Sequence, residues 1–166
     1  MDGMLDWLSS LPETYPALRL DLLGQLLLAV VLGAAIGWER ERAEKPAGLR
    51  TNILICVGAA LLADLSLQVA AGASAPTDAS RIAAQLVTGV GFLGAGTIIQ
   101  SGGSVTGLTT AATLWVVAAI GMAVGLGALV EAVGTTILVL VALLPLRKLE
   151  ETADKHLTGE DESPTA

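Results

Sequence analysis

Between Ile82 and Val130 the chain has no Asp, Glu, Lys or Arg. A soluble domain has little reason to leave so long a stretch uncharged; charged residues make up about a quarter of an ordinary globular sequence, against 15% here. Cysteine occurs once, as Cys56, which excludes an intrachain disulfide. Histidine also occurs once, as His156, so one chain lacks the donors for a zinc, haem or iron–sulfur centre, and the residues call for no cofactor. Basic residues are scarce, nine against sixteen acidic ones, and this balance gives no support to nucleic-acid binding, which needs a basic face. The opening "MDGMLDWLSS" has no basic stretch and does not read as a cleaved signal peptide. No fixed-period repeat and no catalytic triad is visible.

What is present is apolar. Hydrophobic residues make up 53% of the chain and mean hydropathy is +0.70. Most of the net charge of −7 lies at the ends, in Asp2, Asp6 and Glu13 and again in Glu150, Glu151, Asp154, Glu160, Asp161 and Glu162. A helix needs about 20 apolar residues to cross a bilayer. That length predicts an all-α, polytopic membrane bundle of five spans, over about 22–38, 51–71, 82–99, 108–126 and 128–146. The stretch from Leu108 to Leu146 is too long for one span, so a tight turn is expected within "GLGALVE", Gly125 to Glu131. Residues 1–20 read as an interfacial segment, with Trp7 and Tyr15 suited to that level, and 149–166 as an acidic, disordered tail.

Orientation follows from the basic residues. Arg40, Arg42, Lys45 and Arg50 fall in one loop, and Arg147, Lys148 and Lys155 follow the last span. Five spans put these seven on one side, against Arg19 and Arg81 on the other. The positive-inside rule then predicts a cytoplasmic C-terminus and an outside N-terminus.

The stretch "GVGFLGAGTIIQSGG" contains a G-x-G-x-x-G at Gly89, Gly91 and Gly94. A dinucleotide loop needs a preceding strand and an acidic residue about 20 positions on; the next carboxylate here is Glu131, and the reading fails. In lipid, small residues let helices approach closely. Gly33 and Gly37, Gly121 and Gly125, and the dense set Gly89, Gly91, Gly94 and Gly96 suit that role. A second reading of the dense set is a broken or kinking helix that exposes backbone to a ligand. After the polar connection "QSGGSVTG", Thr106, Thr110 and Thr113 recur at spacings that would align three hydroxyls on one helical face. They bond backbone or a neighbouring helix, or they line a ligand path.

"GWERERAEKPAGLRTN" concentrates charge at a chain reversal. Glu39 ends the first helix and Arg50 begins the second, each at the end its charge disfavours. Pairing of Glu39, together with Glu41, to Arg50 would pin the hairpin. The alternative is that the arginines set topology by snorkelling. Asp64 lies inside the second span with Gln68 one turn on. A carboxylate there costs at least about 2.5–3.5 kcal/mol unless it faces a partner or water. Either it serves an ion or proton pathway, or it is protonated and bonded to Gln85 or a threonine.

Three segments, "IGWERERAEKPAGLRTNILICVGAAL", "RIAAQLVTGVGFLGAGTII" and "GLTTAATLWVVAAIGMAVGLG", resemble the MgtC/SapB family of bacterial inner-membrane proteins over about Gly33 to Gly127. The family-like positions are Glu39, Arg40, Gly48, Leu49, Arg50 and Thr51, then Gly91, Phe92, Leu93, Gly94, Ala95 and Gly96, then Gly107, Leu108, Thr110, Ala111 and Trp115. The resemblance implies a multi-pass inner-membrane protein linked to adaptation to magnesium limitation and, in pathogens, to survival inside host cells. Members are thought to influence other membrane machinery, such as ion-pumping ATPases or ATP synthase, rather than to carry magnesium. Relatives often have Asn where this chain has Thr109. Asp64 lies outside the shared motifs. Several members continue into a soluble domain after the last helix, and regulation through it does not carry over to these residues.

Two functions remain in competition. One is a non-enzymatic regulator that docks on other integral membrane proteins through small-residue faces. The other is a Mg²⁺ or proton transporter using Asp64 and a glycine- and threonine-lined path, with a homo-oligomer supplying the oxygen ligands that one chain lacks. An intramembrane enzyme has no plausible nucleophile–base pair.

Overall fold

A computed structural model describes residues 19–72, 78 and 80–158. The expected interfacial segment before Arg19 and the last eight residues, 159–166, lie outside the described residues. Among the described residues five helices follow one another: α1 (Leu20–Arg42), α2 (Leu49–Gly72), α3 (Ser80–Thr97), α4 (Leu108–Gly125) and α5 (Leu129–Thr158). The all-helical expectation holds. Three of them, α1, α2 and α4, are long and apolar enough to cross a membrane. In α3, Arg81, Gln85 and the glycines lower the hydropathy, and in α5 the apolar stretch among the described residues is Leu129–Leu144.

Three details differ from the sequence reading. The third span ends at Thr97 rather than at 99, and the polar connection is a β-hairpin, β1 (Ile99–Ser101) paired antiparallel with β2 (Ser104–Thr106). Gly102 and Gly103 supply positive φ at both turn positions, 56° and 87°, as a two-residue hairpin turn demands. Thr106 is therefore in a strand and donates its hydroxyl to the Ile99 carbonyl, so the three threonines do not share a helical face. At the other end of the chain, α5 runs on to Thr158, past position 149 where a disordered tail is expected. The sequence "LEETADKHL" is rich in good helix formers, which extend a helix already begun.

The last turn falls where expected. The Ala128 N–H donates to the Ala123 carbonyl and the Gly127 N–H to Val124, with Gly127 at φ 80°, so a Schellman motif closes α4. The same bonds end α1, from Lys45 to Arg40 and from Glu44 to Glu41, with Glu44 held at φ 54°.

The core is a three-helix layer of α1, α2 and α4, in which Ala29, Leu32, Ile36, Cys56, Ala60, Val117, Ile120 and Val124 are buried together, with Ala132 of α5 against them. Small residues make this possible. A Cβ at Gly33 would lie 2.8 Å from the Asn52 carbonyl oxygen and one at Gly37 2.7 Å from the Leu49 Cα. At Gly121 and Gly125 it would lie 2.2 Å from the Cys56 oxygen and 2.1 Å from the Ala60 oxygen. The close-packing reading of these four glycines stands.

Helix α3 is attached differently. Ala59, Val90 and Ala118 form a small separate cluster that joins it to α2 and α4. Val90 and Gly94 are its only buried residues among those described. The helix is continuous, so the broken-helix reading does not hold. Nor do its glycines pack tightly: Gly94 meets Ala111 at an ordinary 3.5 Å, and a Cβ at Gly89, Gly91 or Gly96 would find nothing within 4 Å.

Candidate functional site

The reversal between α1 and α2 buries charge. Glu39 and Arg40 are 6% and 3% exposed, and the Arg40 Nε donates to the Glu39 Oε2 at 2.5 Å. The expected Glu39–Arg50 pair is not formed; Arg50 is exposed and makes no ion pair among the described residues. The reason is geometric. Adjacent residues on α1 reach each other without crossing the hairpin, whereas Arg50 lies on the solvent-facing side of the first turn of α2.

The hairpin is pinned all the same, by other atoms. Glu41 accepts the Leu49 N–H at 2.8 Å, placing a carboxylate at the N-terminus of α2, where the helix dipole favours it. Asn52, fully buried, donates through Nδ2 to the Ala47 and Gly48 carbonyls at 2.9 and 2.8 Å. Its Oδ1 is buried without a hydrogen-bond partner among the described residues. The sequence reading passed over Asn52; an amide one turn inside an apolar helix, four residues after a glycine, was the signal. On the exposed side, the Arg42 guanidinium stacks over Trp38 at 5.1 Å, and Thr51 is exposed.

A second polar cluster lies toward the start of α1. Asp64 is 4% exposed, and its Oδ2 accepts from the Arg19 Nη1 at 2.8 Å and from the Gln68 Nε2. Arg19 also reaches Asp21 at 3.1 Å. Asp64, and then Asp21, hold the Arg19 guanidinium above its ordinary pKa, so it stays charged. Neither partner expected for a protonated Asp64, Gln85 or a threonine, bonds it among the described residues. Gln85 is exposed on α3, and the acid is held by the cation of Arg19, the residue before α1.

The remaining candidates do not converge. Thr110 and Thr113 are buried in α4, and the Thr113 hydroxyl donates to the Thr109 carbonyl at 2.8 Å, so it serves the backbone. Thr109 itself is exposed, and Trp115 is half exposed. Gly91 and Gly96 are exposed and Gly94 is buried. Among the described residues no three His, Cys, Asp or Glu side chains group to hold a metal ion. What the arrangement offers is a rigid core with internal ion pairs and one loosely attached, glycine-rich helix.

The sequence pattern of the MgtC family matches residues 26–152. Protein MgtC of Salmonella typhimurium (strain LT2) is 48% identical over 123 residues, covering 74% of this chain and 51% of that protein. Protein MgtC of Brucella abortus (strain 2308) is 45% identical over 126 residues, covering 76% and 51%. An uncharacterized protein of Haemophilus influenzae is 42% identical over 131 residues, covering 75% and 55%. The chain thus spans about half the length of the curated relatives it matches. No solved structure matches it. The matched region runs from within α1 to within α5, taking in the buried Glu39–Arg40 pair and the open helix α3, and this chain belongs to the MgtC family.

Proposed function

We propose that this protein is a multi-pass inner-membrane regulator that acts by docking on other integral membrane proteins, with its C-terminus in the cytoplasm. The family membership implies a role in magnesium limitation and intracellular survival, exerted on machinery such as an ion-pumping ATPase or ATP synthase. The observation that carries the docking reading is the contrast between two sets of glycines. At Gly33 and Gly37 of α1 and Gly121 and Gly125 of α4 the space is filled by neighbouring backbone, while Ala84, Thr88, Gly91 and Ala95 form an exposed stripe along α3 at i, i+4, i+7 and i+11. The Thr88 hydroxyl is turned back onto the Ala84 carbonyl at 3.3 Å, so the stripe offers a smooth backbone to a partner helix.

The transporter reading is weaker on this geometry. Asp64 is engaged by Arg19 and Gln68, and an ion passing through it would first have to displace the half-exposed Arg19 guanidinium from the buried carboxylate. Nor does the reading call for enzymatic chemistry. Purified protein in proteoliposomes, assayed for Mg²⁺ and proton flux, is expected to match empty liposomes, and Asp64→Asn to change nothing. Flux above that background, abolished by Asp64→Asn, would sink the docking reading.

A further inference from the structure

On the other side of α3 from the Ala84–Ala95 stripe lies a groove of about 570 Å³ between α2 and α3. Its size is that of a small-molecule site. Leu54 and Leu62 on α2 and Ile82 and Leu93 on α3 mark its ends. Its floor is opened by two glycines, one from each helix: a Cβ at Gly58 or Gly89 would meet nothing within 4 Å. A gap between two membrane helices loses its packing unless something fills it.

Two features say what fills it. The first is length: from Ile82 to Leu93 the groove extends about 16 Å at the helical rise, about half the roughly 30 Å hydrocarbon core of a bilayer. A partner helix would need a path across both leaflets, whereas one acyl chain needs only one. The second is the placement of polarity. Among the described residues the only polar side chain lining the groove is Gln85, and it lies near the Ile82 end. Arg81 is exposed one turn before it, in the first turn of α3. The result is an apolar slot, an amide donor near its mouth and a cation beyond the amide.

From this we infer that the α2–α3 groove is a binding site for one phospholipid of the leaflet on the Arg81 side. One acyl chain lies over Gly58 and Gly89, the Gln85 amide donates to an ester carbonyl, and the Arg81 guanidinium pairs with the phosphate. Arginine matches phosphate geometry with paired donors. The lipid fills the space that side chains leave under α3 and braces that helix against the core. Its acyl chain lies on the face of α3 away from the docking stripe, so loss of the lipid and loss of docking are read by separate measurements.

The test is native mass spectrometry and lipid-phosphorus assay on the protein purified in mild detergent, with folding checked by circular dichroism. The wild type is expected to carry one phospholipid per chain. Gly89→Leu fills the groove and should lose it. Arg81→Gln, at an exposed position that leaves folding alone, should lower retention about tenfold, the scale of one charge-assisted contact. A wild type without phospholipid, or retention unchanged in both variants, would overturn the site. So would disulfide crosslinking of Gly58→Cys to another polypeptide in native membranes, since that makes the occupant a protein; Cys56 is buried and does not interfere.

Discussion

Gly121→Leu and Gly125→Leu are expected to abolish the folded bundle, and even alanine at either position should destabilise it. The cause is distance. A Cβ there would lie 2.2 or 2.1 Å from a backbone carbonyl oxygen of α2, and backbone cannot rotate aside as a side chain can. Helices α2 and α4 would have to separate, pulling Val117, Ile120 and Val124 away from Cys56 and Ala60. Overpacking of this kind costs about 1–3 kcal/mol for small increments and more for large ones. Alanine ordinarily favours a helix over glycine by about 0.5–1 kcal/mol, so the sign of the effect is informative. Gly89→Ala and Gly91→Ala, where the added methyl meets open space, should be neutral or mildly stabilising. Thermal or denaturant unfolding in detergent micelles reads all four. Equal behaviour of the two pairs would show that α4 is not seated on α2 as described.

The second large effect concerns the buried pair at the reversal. Arg40→Met is expected to cost about 3–5 kcal/mol, because it leaves the Glu39 carboxylate buried without its cation. The double variant Glu39→Gln with Arg40→Met removes both charges and should recover to within about 1 kcal/mol of the parent, since an apolar or neutral pair of similar volume often replaces a buried ion pair without loss. Arg50→Met, at an exposed residue without an ion-pair partner among the described residues, should stay within about 0.5 kcal/mol. Unfolding midpoints of the four proteins decide the matter. If Arg50→Met proved as costly as Arg40→Met, the pairing across the hairpin that the sequence suggests would be right after all.

How much was legible beforehand varies with the length scale of the cause. The five helices are written in runs of apolar residues, and the turn at Gly127 in the glycines of "GLGALVE", because both are local. The close approach at Gly33, Gly37, Gly121 and Gly125 follows from small residues at one-turn spacing. What the spacing cannot say is which glycines meet a neighbour, since that depends on how the helices are arranged in space. By composition the α3 glycines look like the best packing motif of all, yet most of them face open space. The partner of Asp64 was hidden for a similar reason. Arg19 is forty-five positions away and belongs to a different helix end, and only the register of α1 on α2 brings them together. The hairpin at Ser101–Ser104 is another matter: a Gly-Gly pair between short β-prone runs is a local signal, and reading "QSGGSVTG" as a plain connection overlooked it.

The docking account is tested most directly by a photo-crosslinking residue placed at Ala84, Thr88, Gly91 or Ala95 in native membranes, with Leu138 on the exposed face of α5 as the control. The account predicts discrete crosslinks to another integral membrane protein from the α3 positions and none from Leu138. Crosslinks to lipid alone from every position would contradict it, and α3 would then have no protein to hold.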